Sequence, residues 1–180
     1  MKQFKIWSMM ILMTLTLPLM VACGKSEKQY DDELRQGYVM MMKTMLGNAA
    51  LNDVVCNTWS KAIFDKVTPS GRYCDDFNEA LEELIDSLDA HEIREYIQST
   101  NDSMLLYANR LKDPPTSRKN CYDDFVDMVS DVSTLTRNAT KISGSLSDYR
   151  SNNHELFDKI AKKNDQFKIK YGDILPKEDK

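Results

Sequence analysis

The chain has 180 residues, room for one ordinary domain and not comfortably for two. Charged residues make up 29% of it and the mean hydropathy is −0.51, which excludes a polytopic membrane protein. Six Gly and five Pro are too few for a turn-rich all-β fold or a long disordered linker, and no P-loop, dinucleotide-binding glycine pattern or zinc-spaced Cys/His set appears.

The first element is an address. Two lysines, Lys2 and Lys5, precede a mostly apolar run from Ile6 to Ala22, the layout of a secretory signal over 1–22. The run is too short and one-sided for a spanning helix. Its last residues, Met20-Val21-Ala22-Cys23, resemble the lipobox of bacterial lipoproteins, with Met20 where that family prefers Leu. The resemblance implies a diacylglycerol on the Cys23 thiol and cleavage before it. Membrane attachment is then through acyl chains on Cys23. Gly24 in place of Asp, by resemblance to enterobacterial sorting, points to the outer membrane of the cell envelope, with periplasmic and surface orientations both open. Loss of Lys2 and Lys5 leaves 22 basic against 28 acidic residues, a net charge of −6. That sign is wrong for releasing counterions from nucleic acid, so no nucleic-acid partner is expected.

After a polar tether over 23–28, the pattern predicts helix almost to the end, with a bundle domain over 29–171 and a flexible tail over 172–180. The first helix, about 28–68, carries Leu34, Tyr38, Met41, Met45, Asn48, Asn52, Val55, Trp59 and Ala62 at steps near four and three. Thr68-Pro69-Ser70-Gly71 breaks it. The second, about 75–112, opens with Asp76 and Glu79 at capping-box spacing and runs through Leu81, Leu84, Leu88, Ile93, Ile97, Met104 and Leu111. Its rhythm falters between Leu88 and Ile93, and the polar stretch Ser99-Thr100-Asn101-Asp102 marks a place for a bend. Asp113-Pro114-Pro115 opens the third, about 114–143, with Pro tolerated in a first turn, and Gly144 offers a left-handed cap. Ser145 and Asp148 start the fourth, about 145–171.

Short connections force neighbours antiparallel, so the expected fold is an all-α, up-down-up-down bundle of about four long helices. The structural alternative is a three-helix arrangement with a broken second helix. Leu111-Lys112-Asp113-Pro114-Pro115, followed by a tyrosine-bearing helix and Ser143-Gly144-Ser145-Leu146, resembles a pattern in uncharacterised all-helical bacterial lipoproteins. That resemblance covers roughly 105–170 and implies fold and anchoring, with no activity attached.

Little in the chain carries chemistry. His91-Glu92-Ile93-Arg94-Glu95 misses the helical zinc motif by having Glu95 where a second His belongs, and His154 is the only other histidine. Cys56, Cys74 and Cys121 remain after lipidation, and an odd count leaves at least one thiol unpaired. Cys56 and Cys74 reach disulfide distance only if the first helix ends near residue 57, and buried small apolar residues are the simpler expectation. Adjacent acids such as Glu82-Glu83 belong on solvated faces, since paired-carboxylate catalysis needs a cleft between elements. Met40, Met41, Met42 and Met45 read as core filler. Asn153 and Asn164 fall on the seam of the last helix, where a buried Asn fixes register. Asp86-Ser87-Leu88 and Asp102-Ser103-Met104 resemble acceptor sites of one class of bacterial O-glycosylation. No catalytic residue, cofactor or metal is expected.

The expected role is therefore non-catalytic binding or structural work by a lipid-anchored envelope protein. One alternative is a small-molecule sensor or carrier with a pocket inside the bundle, beside Asn153, Asn164 and the methionines. Another, weaker, is a hydrolase with an unrecognised site. Helix lengths place the partner site. The second helix is ~57 Å long and the third ~45 Å, so the first hairpin overhangs the rest by ~12 Å, away from the membrane. That overhang carries Ile63, Phe64, Val67, Tyr73 and Phe77, with Trp59 at its base, together a candidate surface for a protein partner. If the helices stop early or bend, the same residues close a small core of their own.

Overall fold

A computed structural model of the chain describes residues 25–176. The signal segment and Cys23 lie outside them, as do residues 177–180. Among the described residues are five α-helices: α1 (Glu27–Phe64), α2 (Phe77–Ile85), α3 (Leu88–Arg110), α4 (Lys119–Thr140) and α5 (Leu146–Tyr171). The fold is an all-α bundle of four antiparallel legs, the second of which is broken into α2 and α3. None of the described helices is long and apolar enough to cross a membrane.

Four of the five helices, all but α4, begin where a side chain supplies a partner for orphan backbone donors. Ser26 and Gln29 form a reciprocal capping box at the start of α1. Ser145 Oγ accepts from the Asp148 amide at 3.1 Å and starts α5, as the sequence predicts. Asp76 caps α2 through the Asn78 amide at 2.9 Å. Gly144 adopts φ 89°, a conformation that side chains rarely take.

Five boundaries differ from the sequence expectation. The second leg does not bend near Ser99. It breaks at Asp86-Ser87, where Ser87 Oγ donates to the Leu84 carbonyl at 2.7 Å and accepts from the Ala90 amide at 3.2 Å. One hydroxyl thus closes one helix and caps the next. The polar stretch stays helical because Thr100 and Ser103 turn their hydroxyls back onto the Tyr96 and Ser99 carbonyls. α1 ends at Phe64 instead of 68, with Lys66 at φ 59° just beyond. α4 starts at Lys119 instead of 114, because Pro115 sits in extended backbone (φ −51°, ψ 149°) and a 3₁₀ turn, Thr116–Arg118, intervenes. It ends at Thr140, so Gly144 belongs to the connection and not to the helix cap. The tail expected over 172–180 is docked at its start: Ile174 and Leu175 are buried, and Arg35 Nε donates to the Ile174 carbonyl at 2.5 Å.

The core comes in two main parts, with a small third cluster of Ala62, Cys74 and Ala80 under the tip, against which Phe77 packs. A proximal cluster, at the N-terminal end of α1, gathers Leu34, Met41, Met104, Phe125, Leu135 and Phe167 with their neighbours. A distal cluster holds Leu51, Val55, Trp59, Leu84, Ile97 and Tyr149. Two glycines let the legs approach. A Cβ on Gly37 would lie 3.0 Å from both Phe125 and Tyr107, and one on Gly47 only 2.7 Å from Ile97 Cγ1. The methionine run is core as expected, with Met41 buried and Met40, Met42 and Met45 packed against it.

Candidate functional site

The distal end is built by a small hairpin between α1 and α2. Val67 and Tyr73 pair as an isolated antiparallel bridge. The Gly71 amide donates to Thr68 O at 2.9 Å, with Pro69 at a turn position that suits its fixed φ and Gly71 at φ 82°. Glu83 of α2 clamps this loop. Its carboxylate accepts from the Ser70 amide at 2.6 Å and from Arg72 Nη2 at 2.7 Å. Hydrogen bonds from Arg72, then Ser70, hold the Glu83 carboxyl down at about 2.

The six candidate residues divide by burial. Trp59 is not a surface residue: it is 1% exposed, its ring 5.6 Å from Phe77 and 6.0 Å from Tyr149. The overhang expected from helix lengths is reduced for two reasons. α1 stops early, and the first turn of α5 brings Tyr149 up beside Trp59. Ile63, Val67 and Phe77 are half-buried, and Ile63 and Phe77 pack on the distal core. Phe64 and Tyr73 stay out, at 77% and 70% exposure. Phe64 also edges a groove of about 1130 Å³ between the end of α1 and the start of α5, which includes Ile63, Leu146, Arg150, His154 and Phe157.

Cys56 and His154 line that groove too, and no hydrogen bond joins them. The Cys56 thiol lies 3.9 Å from Asn52 Oδ1, and His154 Nε2 lies 3.6 Å from Asp158 one turn along its own helix. His91 is likewise exposed and 3.2 Å from Glu95. Cys56, Cys74 and Cys121 are all buried and free. Burial pushes the Cys121 thiol up to about 12, far from the thiolate that nucleophilic chemistry requires. Among the described residues no group of three His, Cys, Asp or Glu is placed to hold a metal ion.

A second feature lies where the two cores meet, and only part of it is visible in the sequence. Asn48 of α1 is fully buried and donates to Thr136 Oγ1 of α4 at 2.8 Å. Asn153 of α5 donates to Asn52 Oδ1 of α1 at 3.1 Å, and Tyr38 donates to Asn164 Oδ1 at 2.8 Å. Both seam asparagines of the last helix therefore bond across to α1, the arrangement that penalises a register slip. Neither is among the lining residues of the two large grooves. A groove of about 890 Å³ runs instead between α3 and α4, with Asn101, Ser133 and Thr136 among its lining. Sequence reasoning missed it because two helices must first be set in register before their polar faces can be seen to converge. Comparison with protein-family models, curated proteins and solved structures finds no match to this chain.

Proposed function

We propose that the protein is a lipid-anchored component of the bacterial cell envelope, held by acyl chains on Cys23, that acts by binding a protein partner at its distal end and not by catalysis. The observation that carries this reading is the pair Phe64 and Tyr73, exposed beside the half-buried Ile63, Val67 and Phe77. Large apolar side chains left in water at one end of a charged bundle are a binding surface by default. The position suits an anchored molecule. α1 alone is 38 residues, ~57 Å at 1.5 Å per residue, and its N-terminus is the end nearest Cys23. The apolar tip is thus carried well away from the lipid surface. The groove beside Phe64 extends the surface with Leu146 and Phe157.

Two experiments on the full chain in its native envelope test the reading. Cys23→Ser should abolish lipid labelling and release the protein from the membrane fraction. Retention of an unprocessed, membrane-bound protein would show a spanning N-terminal segment instead. A photo-cross-linker at position 64 should capture a protein of constant mass, and Tyr73→Ser should weaken that capture. Cross-links only to lipid, or none above those from a probe at exposed Glu155, defeat the distal-partner reading.

A further inference from the structure

Four buried side-chain polar atoms among the described residues have no hydrogen-bond partner: Asn48 Oδ1, Asn101 Oδ1, Ser133 Oγ and Asn153 Oδ1. They are not scattered. Asn48 sits between Met45, packed on the proximal cluster, and Leu51 of the distal one, Asn101 between Met104 and Ile97, and Asn153 between Ile160 and Tyr149, while Ser133 lies between Val132 and Leu135 of the proximal cluster. The three asparagines therefore fall in the layer where the two apolar clusters part, and Ser133 lies one turn from Thr136, the partner of Asn48. Leaving a buried acceptor unpaired costs about 1–3 kcal/mol in general, so four helices contributing such groups near one level is an arrangement that calls for a partner.

Asn101 and Ser133 belong to the wall of the α3–α4 groove. Thr136 lies there as well, and because its oxygen accepts from Asn48 its own hydrogen is left for another acceptor. The groove's charge is the second observation. The chain is acidic, yet none of the groove's lining residues is Asp or Glu, while Arg94, Lys112 and Arg137 all border it. Among the described residues none of these three cations is in an ion pair, whereas Arg35, Arg72 and Arg118 each are. An unneutralised cationic rim favours an anion and leaves an ammonium group no partner. Lys112 and Arg94 stand at opposite ends of the α3 wall, 18 residues or ~27 Å apart. Between them run apolar side chains, Leu105, Val126 and Val129, with Tyr122 near the Lys112 end.

We infer that the α3–α4 groove is a binding site for an acidic oligosaccharide. On a side-chain rotation that opens Asn101 Oδ1 and Ser133 Oγ to the groove, its hydroxyls would bond to both. Its carboxylates would meet Arg94 with Arg137 at one end and Lys112 at the other. Its C–H faces would lie on Leu105, Val129 and Tyr122. A pocket of mostly apolar walls with a few convergent polar groups is the usual form of a small-molecule site. This site is separate from the distal tip, and either can fail without the other.

The test is calorimetric titration of the full-length protein in detergent with trigalacturonate and with monomeric galacturonate, against glucose and glutamate. Saturable binding of an acid sugar is expected, with glucose and glutamate at least tenfold weaker. Binding by the monomer identifies a free sugar acid as sufficient. Binding by the trimer alone identifies a polymeric glycan, and either supports the site. The double variant Arg94→Gln/Arg137→Gln alters half-exposed and exposed side chains, so it should melt like the parent while losing at least tenfold in affinity. Ser133→Ala, a smaller change, should lose several-fold. The inference is overturned if neither acid saturates, if the variants bind as the parent does, or if glutamate or glucose binds as tightly. A crystal soaked in trigalacturonate that shows only ordered water against Asn101 Oδ1 and Ser133 Oγ also overturns it.

Discussion

The two ends of this bundle are held in different ways. At the proximal end every leg is tied to another by a charged or polar contact. Lys25 of the α1 lead-in donates to the Arg110 carbonyl at 2.6 Å and pairs with Glu33. Arg118 forks onto Asp31 at 2.8 and 2.9 Å, and Lys170 and Tyr171 both reach Asp124 at 2.9 Å. Behind these contacts Phe167 packs between Tyr38, Phe125 and Tyr171, with centroids 6.0, 6.4 and 4.9 Å away. At the distal end the strong polar contact, Arg72 with Glu83, joins the hairpin only to the short α2. What binds the tip to the other legs is the Trp59–Phe77–Tyr149 cluster and the Tyr149 hydroxyl donating to Ala139 O at 2.9 Å. The lesson is a division of labour: polar ties between the legs are concentrated at the proximal end, and the far end is held mainly by packing.

The sharpest way to break that comparison is to remove a ring from each side. Phe125→Ala deletes a fully buried side chain that also touches the Gly37 gap, and should cost about 3–5 kcal/mol. Phe77→Ala, half-buried over Trp59, should cost clearly less and leave the proximal legs protected in hydrogen exchange. Equal losses, or global unfolding by the distal change, would mean that the two clusters are one cooperative core.

The next effect is smaller and concerns how closely the legs approach. Gly47→Ala should gain about 1 kcal/mol of helix propensity. It also drives a methyl to within 2.7 Å of buried Ile97 Cγ1 and 3.2 Å of Tyr96, and overpacking of this kind costs about 1–3 kcal/mol. A net loss of about 1 kcal/mol is expected in denaturant melts, and the double variant Gly47→Ala/Ile97→Ala, which removes the clashing Cγ1, should lose less than the sum of its two single losses.

These cases show what could be read from the chain and what could not. Seam positions were legible wherever one helix buries one stripe: Leu34, Tyr38, Met41, Asn48, Val55 and Trp59 are all buried. The Ser145 cap was legible because its signal is local. The Ser87 break was not, since a serine inside an apolar-periodic stretch looks the same whether its hydroxyl caps a new helix or faces water. Gly37 and Gly47 were illegible for a related reason, because their role exists only once Phe125 and Ile97 lie opposite. The tip failed in part on geometry. Helix lengths alone placed Trp59 at an uncovered overhang, and the rise of α5 to Tyr149 covers it. The unpaired atoms of the α3–α4 groove depend on register between helices that no one helix's sequence reports.

A pH experiment sharpens the account of the tip. The Glu83 carboxyl sits at about 2 in the folded chain against an ordinary value of 4.5, lowered by Arg72 and Ser70. A depressed carboxylate contributes stability that is fully present above 4.5 and is lost as pH falls from there through about 2. The protection factor of the Ser70 amide, the unfolded exchange rate relative to its own rate at the same pH, should accordingly stay high at pH 5 and fall across that window, while that of Leu135 in the proximal core falls later. In Glu83→Gln the Ser70 amide should exchange fast already at pH 6, because a neutral amide cannot pair with Arg72.

The smallest expected effect carries the most weight for function. Phe64 is 77% exposed, so its ring gives little to the folded state beyond its own last helical turn. Phe64→Ser should therefore change stability by no more than about 0.5 kcal/mol, the usual range for surface positions. Trp59 supplies an internal reporter. It is fully buried between Phe77 and Tyr149 and is the sole tryptophan of residues 23–180. Its emission should stay blue and poorly quenched by acrylamide in the variant. A red shift or a large loss of stability would place Phe64 in the distal core and remove the surface on which partner binding rests. An unchanged Trp59 together with a weakened cross-link from a neighbouring position would separate the two roles of the tip, with Trp59 holding it together and Phe64 meeting the partner.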